Sequence, residues 1–320
     1  MDCPKCQSPV SARARYCDQC GTNLAEDVGF IHQKAIDCYH RGLIDQAVKL
    51  WDEALQRAPE FSKGYYYKGL ALYDRGDLSQ AVAALSRALQ GEQEPFRVYF
   101  KLGMAQYGLG DLAGSIESYR RALEINPGSA ETHYRLGLSC LRNSSLDEAR
   151  SALEQAVAIN GRYTRALYTL GLVLEQQGEY DQAVDQFRKV VTISPGYTSA
   201  IFELGMALYR KGEMGEAAEQ FRAAAASSPR FAPAWFMLGE TLRRAGDFGG
   251  AIEAYRDSLR LNPRDPEAYV HIAECDLQLD LLDAALEAVD AALAINPQHR
   301  DAQYLKAHMG QMKTPHKPGF

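Results

Sequence analysis

Apolar and polar positions alternate along most of this chain with the period of an α-helix. Ile201, Leu204, Gly205 and Leu208 follow one another at i, i+3, i+4 and i+7, one stripe of a helix. The pattern recurs every 34 residues, most clearly in a column of small residues at Ala35, Gly69, Gly103, Gly137, Gly171, Gly205, Gly239, Ala273 and Ala307. A second small column passes through Ala47, Ala81, Ser115, Ala149, Ala183, Ala217, Ala251 and Ala285, and a third through Ala54, Ala88, Ala122, Ala156, Val190, Ala224, Ser258 and Ala292. Between them stand Trp51, Leu85, Tyr119, Leu153, Phe187, Phe221, Tyr255 and Val289. Knobs alternating with flat spots predict pairs of closely approaching helices. Gly76 and Gly246, with glycines in the same register, end a first helix in the left-handed conformation. Asp77, Asp111, Ser145 and Asp247 are the expected N-caps of the second, and prolines such as Pro127 and Pro263 stop it. A lone hairpin cannot bury its apolar face, so stability is expected from stacked neighbours.

These residues resemble the tetratricopeptide repeat family from residue 28 to about 312. Trp235, Leu238, Gly239, Leu242, Ala251, Tyr255 and Pro263 reproduce its pattern almost throughout. Departures fall in the second repeat, with Gly91 and Gln93 before a late Pro95, and in the fourth, with Gly161 in place of proline. The resemblance implies an all-α fold, a right-handed superhelical solenoid whose first helices line the concave face and whose second helices lie outside. Eight repeats are expected over 28–297, starting near 28, 62, 96, 130, 164, 198, 232 and 266. A cap helix over 298–312 would keep Tyr304 and Ala307 in register and wet Lys306, His308 and Gln311. The tail 313–320, with two prolines, is expected to be disordered.

Packing requires one apolar stripe per first helix, and these helices carry two. Tyr66, Leu70 and Tyr73 share the additional face, as do Phe100, Met104 and Tyr107, then Tyr134, Leu138 and Leu141, and Phe202, Met206 and Tyr209. Tyr66, Phe100, Tyr134, Tyr168, Phe202, Phe236 and Tyr304 form an aromatic ladder preceded by His32 and interrupted at Val270. The resemblance places this ladder on the concave surface, where it lines a partner groove or packs on the next repeat. Rigid aromatics and flexible thioethers suit an apolar partner. Arg210, Arg243 and Arg244, with Arg142 and with Lys63, Arg97 and Arg165 at helix starts, would add affinity for acidic flanks. The family's clamp for a C-terminal carboxylate uses lysine and asparagine, and the matching positions here hold Tyr66, Leu70, Phe100 and Met104. An amphipathic helix or an apolar extended segment therefore fits better than a chaperone tail.

Ahead of the repeats, Cys3-Pro-Lys-Cys6 and Cys17-Asp-Gln-Cys20 form two C-x₂-C knuckles within residues 1–26. Four thiolates in two close pairs suit one structural, tetrahedral Zn²⁺, and so short a segment needs a metal to fold. Two disulfides are the competing use, disfavoured by the spacing; a catalytic zinc would keep an open position. The stretch is similar to the zinc ribbons at the start of many bacterial proteins, with Gln7 where glycine is common. It either docks a partner or caps the first hairpin. Lys5, Arg13 and Arg15 are offset by Asp2, Asp18 and Glu26, which favours the cap.

A net charge of −6 gives no overall positive field for nucleic acid. A nucleic-acid-associated or regulatory role acting through the ribbon is the alternative to a protein-binding scaffold. The first residues lack the apolar run of a secretory signal and no segment is long enough to span a membrane, so a cytoplasmic location is expected. Cys38, Cys140 and Cys275 read as small core residues. No phosphate loop, zinc-protease or nucleophile-elbow motif occurs, and catalysis is not expected.

Overall fold

The computed structural model describes residues 1–11, 14–91 and 95–313, with side chains to residue 310. Arg13, Gln93, the side chain of Gln311 and the tail beyond 313 lie outside the described residues. Among the described residues there are seventeen α-helices and no named strand. The first helices are α1 (Val28–His40), α3 (Ser62–Arg75), α5 (Pro95–Leu109), α7 (Ala130–Arg142), α9 (Thr164–Gln176), α11 (Thr198–Lys211), α13 (Ala232–Ala245) and α15 (Pro266–Gln278). Their partners are α2 (Ile44–Arg57), α4 (Leu78–Ala88), α6 (Leu112–Ile125), α8 (Leu146–Ile159), α10 (Tyr180–Ile193), α12 (Met214–Ser227), α14 (Phe248–Leu261) and α16 (Leu282–Ile295), and α17 (Arg300–Lys313) follows alone. The chain divides into two compact units, Met1–Gly161 and Arg162–Phe320. Within each, every helix packs on its predecessor and successor.

The small and large columns meet inside each hairpin. Phe187 lies against Gly171 so closely that a Cβ there would come within 2.6 Å of its ring, and Tyr255 against Gly239 leaves 2.8 Å. Helix ends obey the turn chemistry in part. Asp111 and Asp247 each accept a hydrogen bond of 3.0 Å from the backbone N–H three residues on. Asp77 and Ser145, expected to do the same, do not. The Asp77 carboxylate is drawn to Arg75 Nε at 2.7 Å, and the Ser145 hydroxyl accepts from Asn143 Nδ2 at 3.3 Å. Where the first helix lacks a following glycine, Ser144 and Asp280 take left-handed φ values of 60° and 59°.

Helix α17 closes the second unit by burying Ala302 and Met309 against Val270, Ala273, Ala285 and Val289. Ala307 is exposed and Tyr304 is 71% exposed, with no helix after α17 among the described residues to cover them. Cys38, Cys140 and Cys275 are all buried, and burial pushes the Cys140 and Cys275 thiols up to about 11 and about 12.

Candidate functional site

The two cysteine knuckles have the same backbone. Cys3 N–H donates to Ser8 O and Cys17 N–H to Thr22 O, each at 2.9 Å, while Gln7 and Gly21 adopt φ of 60° and 72°. Gln7 therefore takes the left-handed turn that glycine takes in the second knuckle. The four sulfurs lie within 4.8 Å of one another, and the Cys3–Cys20 and Cys6–Cys17 pairs are 3.5 Å apart. A tetrahedral ion with bonds of about 2.3 Å would hold its sulfurs about 3.8 Å apart, so these four can hold a metal ion. Hydrogen bonds from the Thr22 hydroxyl and backbone lower the Cys20 thiol to about 6, and Ser8 lowers Cys6 in the same way. Cys17, despite backbone hydrogen bonds from Gln19 and Cys20, is raised to about 11 by burial and the adjoining thiols, so two of the four lean toward the ligating thiolate. Cys3, Cys17 and Leu24 form one cluster with Phe30 of α1, so the module's small core is continuous with the first hairpin.

On the first-helix face of the first unit, Tyr66, Tyr73, Phe100, Met104 and Tyr107 are half-buried. Phe100 leans on Tyr119 with ring centres 5.9 Å apart. Tyr134 differs. At 8% exposure it is enclosed by packing and offers almost no surface, which corrects its expected place in the groove. In the second unit Tyr168, Phe202 and Phe236 each rest on the large side chain of their own second helix, Phe187, Phe221 and Tyr255, with ring centres 5.8, 5.5 and 5.5 Å apart. Each also meets a second ring, Tyr168 with Tyr197 at 5.2 Å, Phe202 with Phe231 at 5.1 Å and Phe236 with His271 at 5.8 Å, and stays half-buried. Phe202, Met206, Phe236, Met237 and Pro233 line a pocket of about 420 Å³ with Asp265 and Glu267 also in its wall.

Sequence profiles of the tetratricopeptide repeat match residues 33–98, 68–130, 100–162, 134–198 and 202–266, and a further one matches 242–309. The chain belongs to the tetratricopeptide repeat family. No curated protein matches it. Among solved structures it is similar to YrrB, described as a TPR protein with an unusual peptide-binding site, at 21% identity over 60% of this chain and 99% of that one, TM-score 0.55. MamA aligns at 30% identity over 54% of this chain and 94% of its own, TM-score 0.51. The C-terminal part of a TPR repeat-containing protein from Cytophaga hutchinsonii gives a TM-score of 0.66 at 14% identity, covering 75% and 98% of the two chains.

In this tetratricopeptide repeat protein the arginines expected to greet acidic flanks are already engaged. Arg243 and Arg244 both bond to Glu240, Arg243 also reaches Glu274 at 3.4 Å, and the Arg244 guanidinium lies 4.4 Å above the Tyr209 ring. The Tyr209 hydroxyl donates to Glu240 at 2.9 Å, and although burial raises the Glu240 carboxyl, the hydrogen bonds and charge of Arg243, with Tyr209 and Arg244, hold it below its ordinary value. Arg210 pairs with Glu175 at 3.1 Å, and Arg142 covers Tyr107 while donating to its backbone oxygen. The expected preference for acidic flanks is thus not supported, because Arg210, Arg243 and Arg244 are paired with carboxylates of the preceding, same or following repeat and Arg142 is held by Tyr107.

Three acidic residues escaped the reading of the sequence. Glu175 occupies the column of Tyr73, Tyr107 and Tyr209, and Glu203 that of Tyr67 and Met237. Asp276 stands in the column of Leu72, Leu174, Leu208 and Leu242, is 3% exposed, and lines a second pocket of about 640 Å³ beside Arg256 and Glu287. For Asp276 the available signal was a carboxylate in a column that is otherwise leucine or cysteine except at Gln106; the Glu203 column also holds Lys101, Arg135 and His271 and gave no such signal.

Proposed function

We propose that the chain is a protein-interaction scaffold without catalytic activity of its own, which holds an amphipathic helix or an apolar extended segment of a partner against its first-helix face. The observation that carries this reading is the open pocket between Phe202, Met206, Phe236 and Met237, whose rings are braced from behind and so are rigid anchors. Tyr66, Tyr73, Phe100, Met104 and Tyr107 extend the same kind of surface in the first unit. YrrB's peptide-binding site lends support by family likeness. Residues 1–26 hold one structural Zn²⁺ through Cys3, Cys6, Cys17 and Cys20 and cap the first hairpin through Phe30. Free thiols at these positions suit a reducing, cytoplasmic setting. No helix among the described residues is long and apolar enough to cross a membrane.

The test is affinity purification of the tagged full chain from its native cells beside a Phe202→Ser/Phe236→Ser variant. Partners identified by mass spectrometry with the parent protein are expected to be lost with the variant, while its helical circular dichroism is kept. Equal recovery by both would remove the groove reading.

A further inference from the structure

The charge on the first-helix face of the second unit is out of balance at one place. Glu175 on α9 is 7% exposed, and although Arg210 lies 3.1 Å from its Oε1, the guanidinium is not aligned to donate, leaving that buried oxygen without a hydrogen bond. Glu203 on α11 makes no side-chain hydrogen bond or salt bridge among the described residues. Two carboxylates thus share one arginine. Burial raises the Glu203 carboxyl above its ordinary value, the Glu175 charge raises it further, and Arg210 only partly opposes them. Burial and then the Glu203 charge push the Tyr168 hydroxyl up to about 12, so these acids sit beside the aromatic column, where Tyr168 and Tyr197 rings are 5.2 Å apart. Elsewhere on this face the cations are consumed: Glu240 and Glu274 engage Arg243 and Arg244.

A half-buried carboxylate beside aromatic rings, with no cation of its own, is the arrangement that receives an ammonium or guanidinium group. Glu203 holds on α11 the register that Met237 holds on α13, where that position faces the preceding first helix, here α9 with Glu175, while Phe202 and Met206 line the apolar pocket that α11 shares with Phe236 and Met237. Asp265 and Glu267 in that pocket's wall add charge of the same sign.

Resting on the groove reading above, we propose that the partner segment carries a lysine or arginine within about four residues of an apolar anchor, the anchor entering the Phe202–Met206–Phe236–Met237 pocket and the basic side chain crossing α11 to Glu203 and Glu175. The net preference is therefore for basic flanks. Side chains three or four apart on a helix, or two apart in an extended chain, can straddle the ridge of α11.

The test is selection of a displayed library of random twelve-residue peptides against the full chain and against three full-length variants: Glu203→Lys, Glu203→Gln, and Phe202→Ser/Phe236→Ser. The parent is expected to enrich Lys or Arg near an apolar residue, and Glu203→Lys to shift that position toward Asp or Glu. A synthetic peptide from the parent selection should bind Glu203→Gln about tenfold more weakly, the loss expected for one charge-assisted contact. Enrichment of acidic flanks by the parent, or the same flanks for parent and Glu203→Lys, would overturn the charge proposal and leave the groove standing, provided the double serine variant loses binding. Recovery by the parent no better than by that double variant would overturn both. Glu203→Gln guards against misfolding of the lysine variant, since it keeps the shape of the side chain.

Discussion

The two units share one 34-residue register and handle buried polar groups in opposite ways. In residues 1–161 the buried polar side chains are hydroxyls. Ser115 donates to the Gly103 carbonyl and shares a hydrogen bond with Ser139, both at 2.9 Å. In residues 162–320 the buried set includes Glu175, Glu240 and Asp276. A hydroxyl is satisfied by any helix carbonyl, whereas a carboxylate needs a cation or a fan of donors. Glu240 has one, with Arg243, Arg244, Tyr209 and Tyr255 around it; the Asp276 carboxylate makes no hydrogen bond among the described residues. The ends differ too, since a cysteine module opens one unit and a helix closes the other. A repeat dictates where columns run, and the residues placed in them decide whether a unit depends on metal, on proton concentration or on ion pairs.

Metal removal should separate the units most sharply. Chelation, or Cys17→Ser, is expected to abolish amide-exchange protection across residues 1–26 and loosen α1 through Phe30, leaving α9 to α17 unchanged. Undiminished protection of the knuckles would break that half of the comparison. Next in size is Glu240→Ala, which removes the shared acceptor of two arginines and two tyrosine hydroxyls, leaves Arg243 only Glu274, and should cost about 3 kcal/mol in urea unfolding.

Acid distinguishes the units by a different group. Burial, with Lys63 nearby, lowers His32 from 6.5 to about 4, and its Nδ1 accepts from Trp51 Nε1 at 3.0 Å, so the folded ring stays neutral. Between these values the unfolded chain binds the extra proton, so stability is lost as pH falls from 6.5 toward 4. About 2 kcal/mol of that loss, seen as faster exchange in α1 and α2, should be absent in His32→Phe. The smallest effect has the opposite sign. Asp276→Leu restores the residue of the Leu174, Leu208 and Leu242 column and should raise stability at pH 7 by about 1 kcal/mol. The benefit should shrink in acid, because burial raises the Asp276 carboxyl and protonation removes the penalty it carries when charged. A destabilised leucine variant would mean that Arg256 serves as its partner in solution.

Much of the molecule was legible in the chain. The knob-to-flat pairing of Phe187 with Gly171, the left-handed turn after α3 at Gly76, and the meeting of Cys3, Cys6, Cys17 and Cys20 all follow from residues at most about half a repeat apart. Helical period, turn chemistry and thiol spacing act over such distances, and the order of residues suffices to express them. What only the tertiary structure decided lies between successive repeats: that Tyr134 is closed off while Phe202 lines a pocket, that Arg210 answers Glu175 and Arg243 answers Glu274, and that Glu203 is left over. Those outcomes join side chains on different helices, about a repeat apart, and whether a charge is cancelled depends on which side chains meet in space rather than on which residues are present.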